Sequence, residues 1–215
     1  MANKNFSIST NRIEAFSDGV FAIVITLLAF NFKVPKITVG ASLIQNVKEL
    51  STVSSNFISF VFSFLFVAVF WVNHHQFFHS IKEADRKLLW YNIHQLFWIC
   101  LLPFPTVFIG DYHEVPLACM SLAFVLLMIS IAAYVIRRYA HFKAELFHEV
   151  LSEESINDGL NKNIAAIVLN VAAILIAPFS VNTCYAIFLT VLILFIIPQK
   201  LELKYRSSSF KKNKL

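Results

Sequence analysis

Six long apolar runs divide this chain of 215 residues. A hydrocarbon core of about 30 Å needs roughly 20 mostly apolar residues per crossing helix, and the runs meet or approach that length. They cover Ile13–Phe32, Leu50–Asn73, Leu88–Ile109, Val115–Ile136, Ile164–Ser180 and Asn182–Gln199. Composition agrees, because 58% of the residues are hydrophobic and only 14% are charged. Little strict alternation occurs, which argues against a β-barrel. We therefore predict an all-α integral membrane protein, with residues 1–215 forming a single domain of six transmembrane helices.

The basic residues predict how these helices are oriented. Lys and Arg are in excess in the cytoplasmic loops of membrane proteins. All but Lys33, Lys36 and Lys48 of the 18 Lys and Arg fall at the N-terminus, in the 2–3 and 4–5 connections or in a basic tail of residues 200–215. We therefore predict that both termini are cytoplasmic and that the tail faces the anionic inner leaflet of the lipid bilayer. No folded basic domain accompanies the tail, so we predict no nucleic-acid partner.

One polar interval separates the fourth and fifth runs. It extends from Arg137 to Asn163. We predict that span 4 continues into it as a cytoplasmic helix and that the chain then turns at Asn157-Asp158-Gly159, a typical turn sequence.

Polar residues cluster at the cytoplasmic ends of spans 1, 2 and 3, and the orientation above brings them to one membrane depth. They are Arg12, Ser17 and Asp18 on span 1, Asn73, His74 and His75 on span 2, and Asp85, Arg86, Trp90 and Asn92 at span 3. Polar groups within a bilayer need partners. The clusters therefore predict a hydrogen-bond network that fastens the three helices together.

Other interpretations of the same residues stay open. Histidine titrates near physiological pH, so Asp18, His74 and His75 are also the candidates for a proton pathway or a proton-coupled transporter. His75 and His79 are spaced for one helix face, but a third ligand is missing, and we predict no metal site. Ser17 and Asp18 lie in no nucleophile elbow or similar motif, so we predict no catalytic residues and no enzyme activity.

An apolar stripe runs along span 1 beyond its polar start. Ile23, Leu27 and Phe30 follow at spacings of four and three, so they share one helix face, and Thr26 lies beside it. The stripe is either a packing surface against neighbouring helices or, in a symmetric oligomer, a set of stacked rings that forms a hydrophobic constriction. The spacing fits both.

Four motifs in order cover spans 1 to 3. They read Arg12-x-x-x-Phe16-Ser17-Asp18-Gly19, Phe70-Trp71-x-x-His74-His75-x-x-Phe78, Asp85-Arg86-x-Leu88-Leu89-Trp90-x-Asn92 and Leu101-Leu102-Pro103-Phe104-Pro105-Thr106. In this order they resemble the transmembrane protein 175 family. The resemblance implies a potassium-permeable channel without a P-loop filter, a homotetramer in the prokaryotic plasma membrane, with potassium as the permeant ion and no cofactor.

The resemblance also implies roles for single residues. Span 1 would line the pore, with Ile23 at the main constriction, Leu27 and Phe30 in the next layers and Thr26 as the hydroxyl linked to potassium preference. The polar network would be structural and comprise Arg12, Phe16, Ser17, Asp18, His74, His75, Asp85, Arg86 and Asn92. Two positions depart from the family, because relatives usually have a smaller aliphatic residue at Phe30 and an acidic residue at Asn31.

Overall fold

The computed structural model of the chain describes residues 7–30, 35, 39–51, 53–143, 146–147 and 152–197. Two short strands and eight helices make up the described part. They are β1 (Ser7–Ser9), α1 (Thr10–Phe30), α2 (Leu43–Ser51), α3 (Ser54–His79), β2 (Glu83–Asp85), α4 (Arg86–Cys100), α5 (Pro103–Asp111), α6 (Pro116–Phe142), α7 (Glu153–Ile176) and α8 (Val181–Ile196). Five stretches are long and apolar enough to cross a membrane, with α4 and α5 taken as one, and α8 is a shorter apolar helix of 16 residues. The prediction of an all-α membrane protein is confirmed.

The third predicted span is broken in the structure. Helix α4 ends at Cys100 and α5 begins at Pro103, whose ring nitrogen has no proton to continue the hydrogen-bond ladder. Helix α5 then packs closely on α3. The Ser55 hydroxyl donates to the Gly110 carbonyl at 2.9 Å, and a Cβ at Gly110 would lie 2.7 Å from Asn56 Nδ2. A Cβ there would also lie 3.2 Å from the Asn56 Cα, so a larger residue would displace the Asn56 side chain and crowd the helix contact.

The turn predicted at Asn157-Asp158-Gly159 is wrong. These residues lie inside α7, which begins at Glu153. The Ser152 hydroxyl caps the helix by accepting from the Ser155 amide at 3.1 Å. Glu153 and Glu154 lie in the first turn, where their negative charges interact favourably with the positive end of the helix dipole. These helix-start signals outweigh the turn preference of Asn-Asp-Gly.

The connection between the first two spans contains a helix that the sequence analysis did not predict. Helix α2 ends at Ser51, so the predicted start of span 2 at Leu50 belongs to α2, and α3 begins at Ser54. Asn31, Lys33, Lys36 and the basic tail of residues 200–215 lie outside the described residues.

The two strands join elements that are distant in sequence. Strand β1 precedes α1 and pairs antiparallel with β2, which precedes α4, with Ser7 opposite Asp85. The Thr10 hydroxyl donates to the Lys82 carbonyl at 3.2 Å, and the Lys82 amide donates to the Leu146 carbonyl at 2.6 Å. The starts of α1 and α4 and the ends of α3 and α6 therefore lie together, at what we call the β end of the bundle.

The apolar core has two parts. The larger cluster fills the bundle and includes Phe21, Phe66, Leu126 and Phe188, all at most 1% exposed. The smaller cluster lies at the β end around Phe78, Ile81 and Leu88. Helix α6 contacts α4, α5, α7 and α8, so it is the central helix of the chain.

Candidate functional site

One face of α1 is packed into the chain. Ile13, Ser17, Phe21, Val24 and Leu28 recur every three or four residues, and none is more than 3% exposed. This stripe packs on α3, α4 and α5. Burial of these side chains fixes how α1 is rotated about its axis, and so decides which residues lie on its other face.

The other face of α1 has the residues that the sequence analysis predicts for the pore. Ile23 is 59% exposed, Leu27 45% and Phe30 82%, although all three are large and apolar. Thr26 is exposed beside them, and its hydroxyl donates to the Ile23 carbonyl at 2.8 Å. The four residues therefore form one continuous surface that the single chain leaves open.

A chain of hydrogen bonds joins α1, α3 and α4 on the buried side. The Asn92 amide nitrogen donates to Ser17 Oγ at 3.0 Å, and the Ser17 hydroxyl donates to the Ile13 carbonyl at 2.8 Å. Asn92 Oδ1 lies 2.7 Å from His74 Nε2 and must accept from it, because the Asn92 amide nitrogen is already the donor to Ser17. The three side chains are 0%, 0% and 4% exposed. The histidine is thus held as the Nε2-protonated tautomer.

Asp18 binds Trp71, a motif residue outside the predicted network. The Trp71 indole on α3 donates to Asp18 Oδ1 at 2.8 Å. The same indole stacks on His75 with ring centroids 5.6 Å apart, and His75 stacks on His79 at 6.2 Å. Within the described ranges, no group of three or more His, Cys, Asp and Glu is placed to hold a metal ion.

Asp85 forms a separate polar contact at the β end. Its carboxylate caps α4 by accepting from the Leu88 amide at 2.8 Å, accepts a short hydrogen bond from the Tyr139 hydroxyl, and pairs with Lys143 Nζ at 3.0 Å. Burial alone raises the pKa of the Asp85 carboxyl, but the hydrogen bonds from Tyr139, Leu88 and Lys143 outweigh it and lower the pKa below its ordinary value. Asp85 therefore ties α4 to the end of α6.

The predicted network is divided in the structure. Ser17, His74 and Asn92 are in direct contact, whereas Asp18 and Asp85 bind other partners. The prediction that Phe16 belongs to the network is wrong. Its side chain is 55% exposed on the open face of α1, because Ile13 and Ser17 form the buried stripe of this turn. The side chains of Arg12, His75 and Arg86 are likewise exposed rather than enclosed between helices.

Arg137 is the main polar residue that the sequence analysis missed. Its position next to Arg138 indicated a cytoplasmic connection, yet it lies in α6 and is 8% exposed. The guanidinium donates to the Asn73 carbonyl at 3.2 Å and lies over the Phe77 ring, 5.0 Å from its centroid. The apolar periodicity of α6 continues through Ile136 and Ala140, which was the available signal that this turn is still packed.

Comparison with known proteins identifies the family of the chain. Residues 12–103 match the model of the family described as endosomal/lysosomal potassium channel TMEM175. A potassium channel from Chryseobacterium sp. (strain P1-3) is 33% identical over 193 residues, which cover 88% of this chain and 93% of the relative. The chain belongs to the TMEM175 family.

Solved structures give the same fold for this TMEM175 member. The crystal structure of a lysosomal potassium-selective channel TMEM175 homolog from Chamaesiphon minutus superposes with a TM-score of 0.76 at 27% identity, over 89% of this chain and 98% of that one. The human relative, named an endosomal/lysosomal proton channel, is 35% identical over 101 residues, which are 45% of this chain and 20% of the human protein.

Family membership decides the class of function. This TMEM175 chain is a potassium channel and a multi-pass membrane protein, and it is not an enzyme. The sequence-based identification of the family and of its channel activity is confirmed.

Proposed function

We propose that four copies of this chain assemble around a central axis in the prokaryotic plasma membrane, and that the open face of α1 from each copy lines the potassium path. Ions pass down their gradient. Both termini are cytoplasmic, so the β end of the bundle is the inner end of the channel.

The exposed stripe on α1 supports this proposal most strongly. Ile23, Leu27 and Phe30 are large apolar side chains that the chain leaves open although the opposite face of the same helix is fully packed. Burial of the opposite stripe fixes the rotation of α1, so every copy in a symmetric assembly presents the same open face.

Each layer of the stripe has a distinct part in the proposal. Four Ile23 side chains around an axis form a ring of branched apolar groups, and such a ring restricts a hydrated ion and gates by dewetting. Leu27 and Phe30 add two further rings along the helix. Thr26, which lies between Ile23 and Leu27 in the sequence, supplies a hydroxyl oxygen as an acceptor for a partly dehydrated potassium ion.

Selectivity for potassium is part of the same proposal. The Chamaesiphon minutus homolog is titled potassium-selective, and the Chryseobacterium relative is named a potassium channel. The full chain reconstituted in liposomes should give a reversal potential, under opposing potassium and sodium gradients, that reports potassium over sodium permeation. Equal permeability to both ions contradicts the selectivity.

A substitution in the first ring tests the constriction. Ile23→Asn replaces a dry ring by amides that water can bind, so relative sodium permeability should rise. The matched control is Ile193→Asn on α8, where the isoleucine is 50% exposed and outside the proposed path. The sodium-to-potassium permeability ratio should be unchanged in that control. An unchanged ratio in Ile23→Asn would mean that the stripe is a packing surface and does not line the path.

The alternative function, a proton pathway through Asp18, His74 and His75, receives less support. In the described part of the chain the hydrogen bonds of Asp18 and His74 go to Trp71 and Asn92, and His75 stacks on Trp71. These three groups therefore do not hand a proton from one to the next. A pH-sensitive dye in the same liposomes measures proton flux directly, and loss of that flux in His74→Ala with potassium flux intact would restore the alternative.

A further inference from the structure

A cavity of about 270 Å³ lies between α3, α5, α6 and α8, toward the end of the bundle opposite the β end. The first halves of α3 and α8 form two of its sides, and α5 and α6 form the others. Its lining includes Ser59, Phe62, Ser63, Thr106, Leu122 and Phe188. The potassium path proposed above does not use this space, since α1 contributes no residue to the lining.

The hydroxyl groups in the cavity wall are already hydrogen-bonded within the protein. Ser59 Oγ donates to the Ser55 carbonyl at 2.8 Å. Thr106 Oγ1 lies 2.6 Å from Ser63 Oγ and 2.8 Å from the Leu102 carbonyl. Their oxygens keep acceptor lone pairs, but the surface that faces the cavity is almost entirely apolar, so it offers few of the two to four polar partners that a buried water needs. The cavity chemistry therefore selects an apolar occupant.

The size of the cavity fits more than a small gas or ring. An engineered apolar cavity of about 150 Å³ stays dry and binds benzene or xenon. The space here is larger, and its lining on α3 runs from Ser55 to Ser63, about 12 Å along the helix axis. An extended hydrocarbon segment fits that shape.

The cavity is continuous with the surface that a bilayer covers. Ile58 lines the cavity and is 62% exposed, and the neighbouring Phe57 and Leu189 are 57% and 48% exposed. Toward the β end the bundle is filled by buried aromatic side chains: Phe66, Phe70 and Phe195 are at most 8% exposed, and Phe70 packs edge-on against Phe195 with centroids 5.7 Å apart. A molecule can therefore enter from the lipid side but cannot pass toward the β end.

We propose that this cavity binds one acyl chain of a phospholipid from the leaflet bordering that end of the bundle. The apolar walls, the satisfied hydroxyls and the exposed apolar rim at Ile58 all match an acyl chain, which the bilayer supplies at high local concentration. The bound chain fills the space between α3 and α8. Since α3 also packs on α1, the site gives membrane lipids a contact with the helix that supports the pore-lining helix.

Photolabelling of the full chain tests the proposal. The protein is reconstituted in vesicles of phosphatidylcholine containing a phosphatidylcholine with a photoactivatable diazirine in one acyl chain, and labelled residues are identified by mass spectrometry. Ile109 and Leu122 line the cavity and are 6% and 4% exposed, so lipid lying on the outer surface does not reach them. We expect labels on these two residues as well as on exposed Leu189. Labels confined to exposed residues overturn the proposal, whether the cavity is empty or covered by a second copy of the chain.

A cavity-filling variant sharpens the test. Ser59→Phe places a ring in the cavity and removes only the intrahelical bond to Ser55. Labelling at Ile109 relative to Leu189 should then fall by roughly tenfold, because a filled cavity has no contacts left to offer the acyl chain. Thr190→Phe is the control, since Thr190 is exposed and makes the same kind of bond to the Ala186 carbonyl. Leu122→Phe fills the cavity from α6 and replaces Ser59→Phe if that variant is not monodisperse. Unchanged labelling in a folded filling variant contradicts the site.

Discussion

Asn92 on α4 lies 2.7 Å from His74 on α3, measured between Oδ1 and Nε2, with both side chains buried. The other end of the same amide binds Ser17 on α1, so a single side chain connects the three helices. Donor and acceptor groups are matched along this chain of bonds. The contact therefore holds the packed face of α1 in place. The opposite, open face of the helix is the proposed surface of the ion path.

Removal of the Asn92 amide should destabilise the protein. Asn92→Ala leaves the His74 Nε2 donor and the Ser17 oxygen without their buried partner, and each buried unsatisfied group costs about 1–3 kcal/mol. The measurement is the midpoint of thermal unfolding in detergent, followed by size-exclusion chromatography.

A second buried asparagine provides the control for this experiment. Asn170 is also 0% exposed, but among the residues that the structure describes its amide nitrogen donates only to the Ala166 carbonyl of its own helix, and its Oδ1 has no hydrogen-bond partner. Asn170→Ala should therefore lower the midpoint less than Asn92→Ala does. Equal losses would contradict a special role for the Asn92 bridge.

The adjacent arginines of α6 should respond differently to the same substitution. Arg137 is 8% exposed and donates to the partly buried Asn73 carbonyl, so Arg137→Met removes a charged donor at a cost of about 1–3 kcal/mol. Arg138 is exposed and contacts the Tyr134 hydroxyl and the Phe142 ring, and Arg138→Met should stay within roughly 0.5 kcal/mol. Thermal midpoints of the two variants compare them directly. A larger loss in Arg138→Met would contradict the packing of this turn.

Asp85 should make stability depend on pH. The folded state lowers the pKa of this carboxyl below its ordinary value of 3.8. Its stabilising contribution is therefore complete above that value and is lost as the pH falls through the folded-state pKa. Asp85→Asn keeps an acceptor for the Leu88 amide but removes the charge that faces Lys143.

The difference between wild type and Asp85→Asn is the quantity to follow. The wild type should have the higher unfolding midpoint at pH 7, and this difference should shrink as the pH falls below 3.8 toward the folded-state pKa. A difference that stays constant down to acid denaturation would show that the carboxylate charge contributes nothing to the contact.

Hydrophobicity alone located most of the fold. The apolar runs that begin at Ile13 and Val115 correspond to α1 and α6, because a bilayer imposes length and composition on each crossing helix. The start of α7 was missed because polar residues there resemble a loop, whereas the cap at Ser152 and the packing of Asn163 make them helical. The pairing of β1 with β2 joins positions 7–9 with 83–85, and local sequence has no signal for such a distant contact.

The candidate site was predicted to a similar extent. Membrane depth was enough to group Ser17, His74 and Asn92, since polar groups at one depth of a bilayer hydrogen-bond to one another for lack of water. Depth gives no rotation about the helix axis, and Phe16, which the family resemblance places in the network, lies on the open face of α1. Arginine is rarely buried without a partner, so the sequence predicts a loop position for Arg137. Its hydrogen-bond partner, the Asn73 carbonyl, is a backbone atom that no sequence pattern reveals.

The central claim is that the open face of α1 lines the potassium path, and cysteine accessibility tests it most directly. Ile23→Cys and Val24→Cys are made in a background with Cys100→Ser, since Cys100 is the exposed native cysteine while Cys119 and Cys184 are buried. Silver ion, a thiol-reactive cation, is added in chloride-free buffer while potassium flux from liposomes is recorded. Ile23 is 59% exposed and Val24, on the packed stripe, is 1% exposed. The account predicts that silver blocks the flux through Ile23→Cys and leaves Val24→Cys unaffected; equal sensitivity of the two variants, or no block in Ile23→Cys, would contradict it.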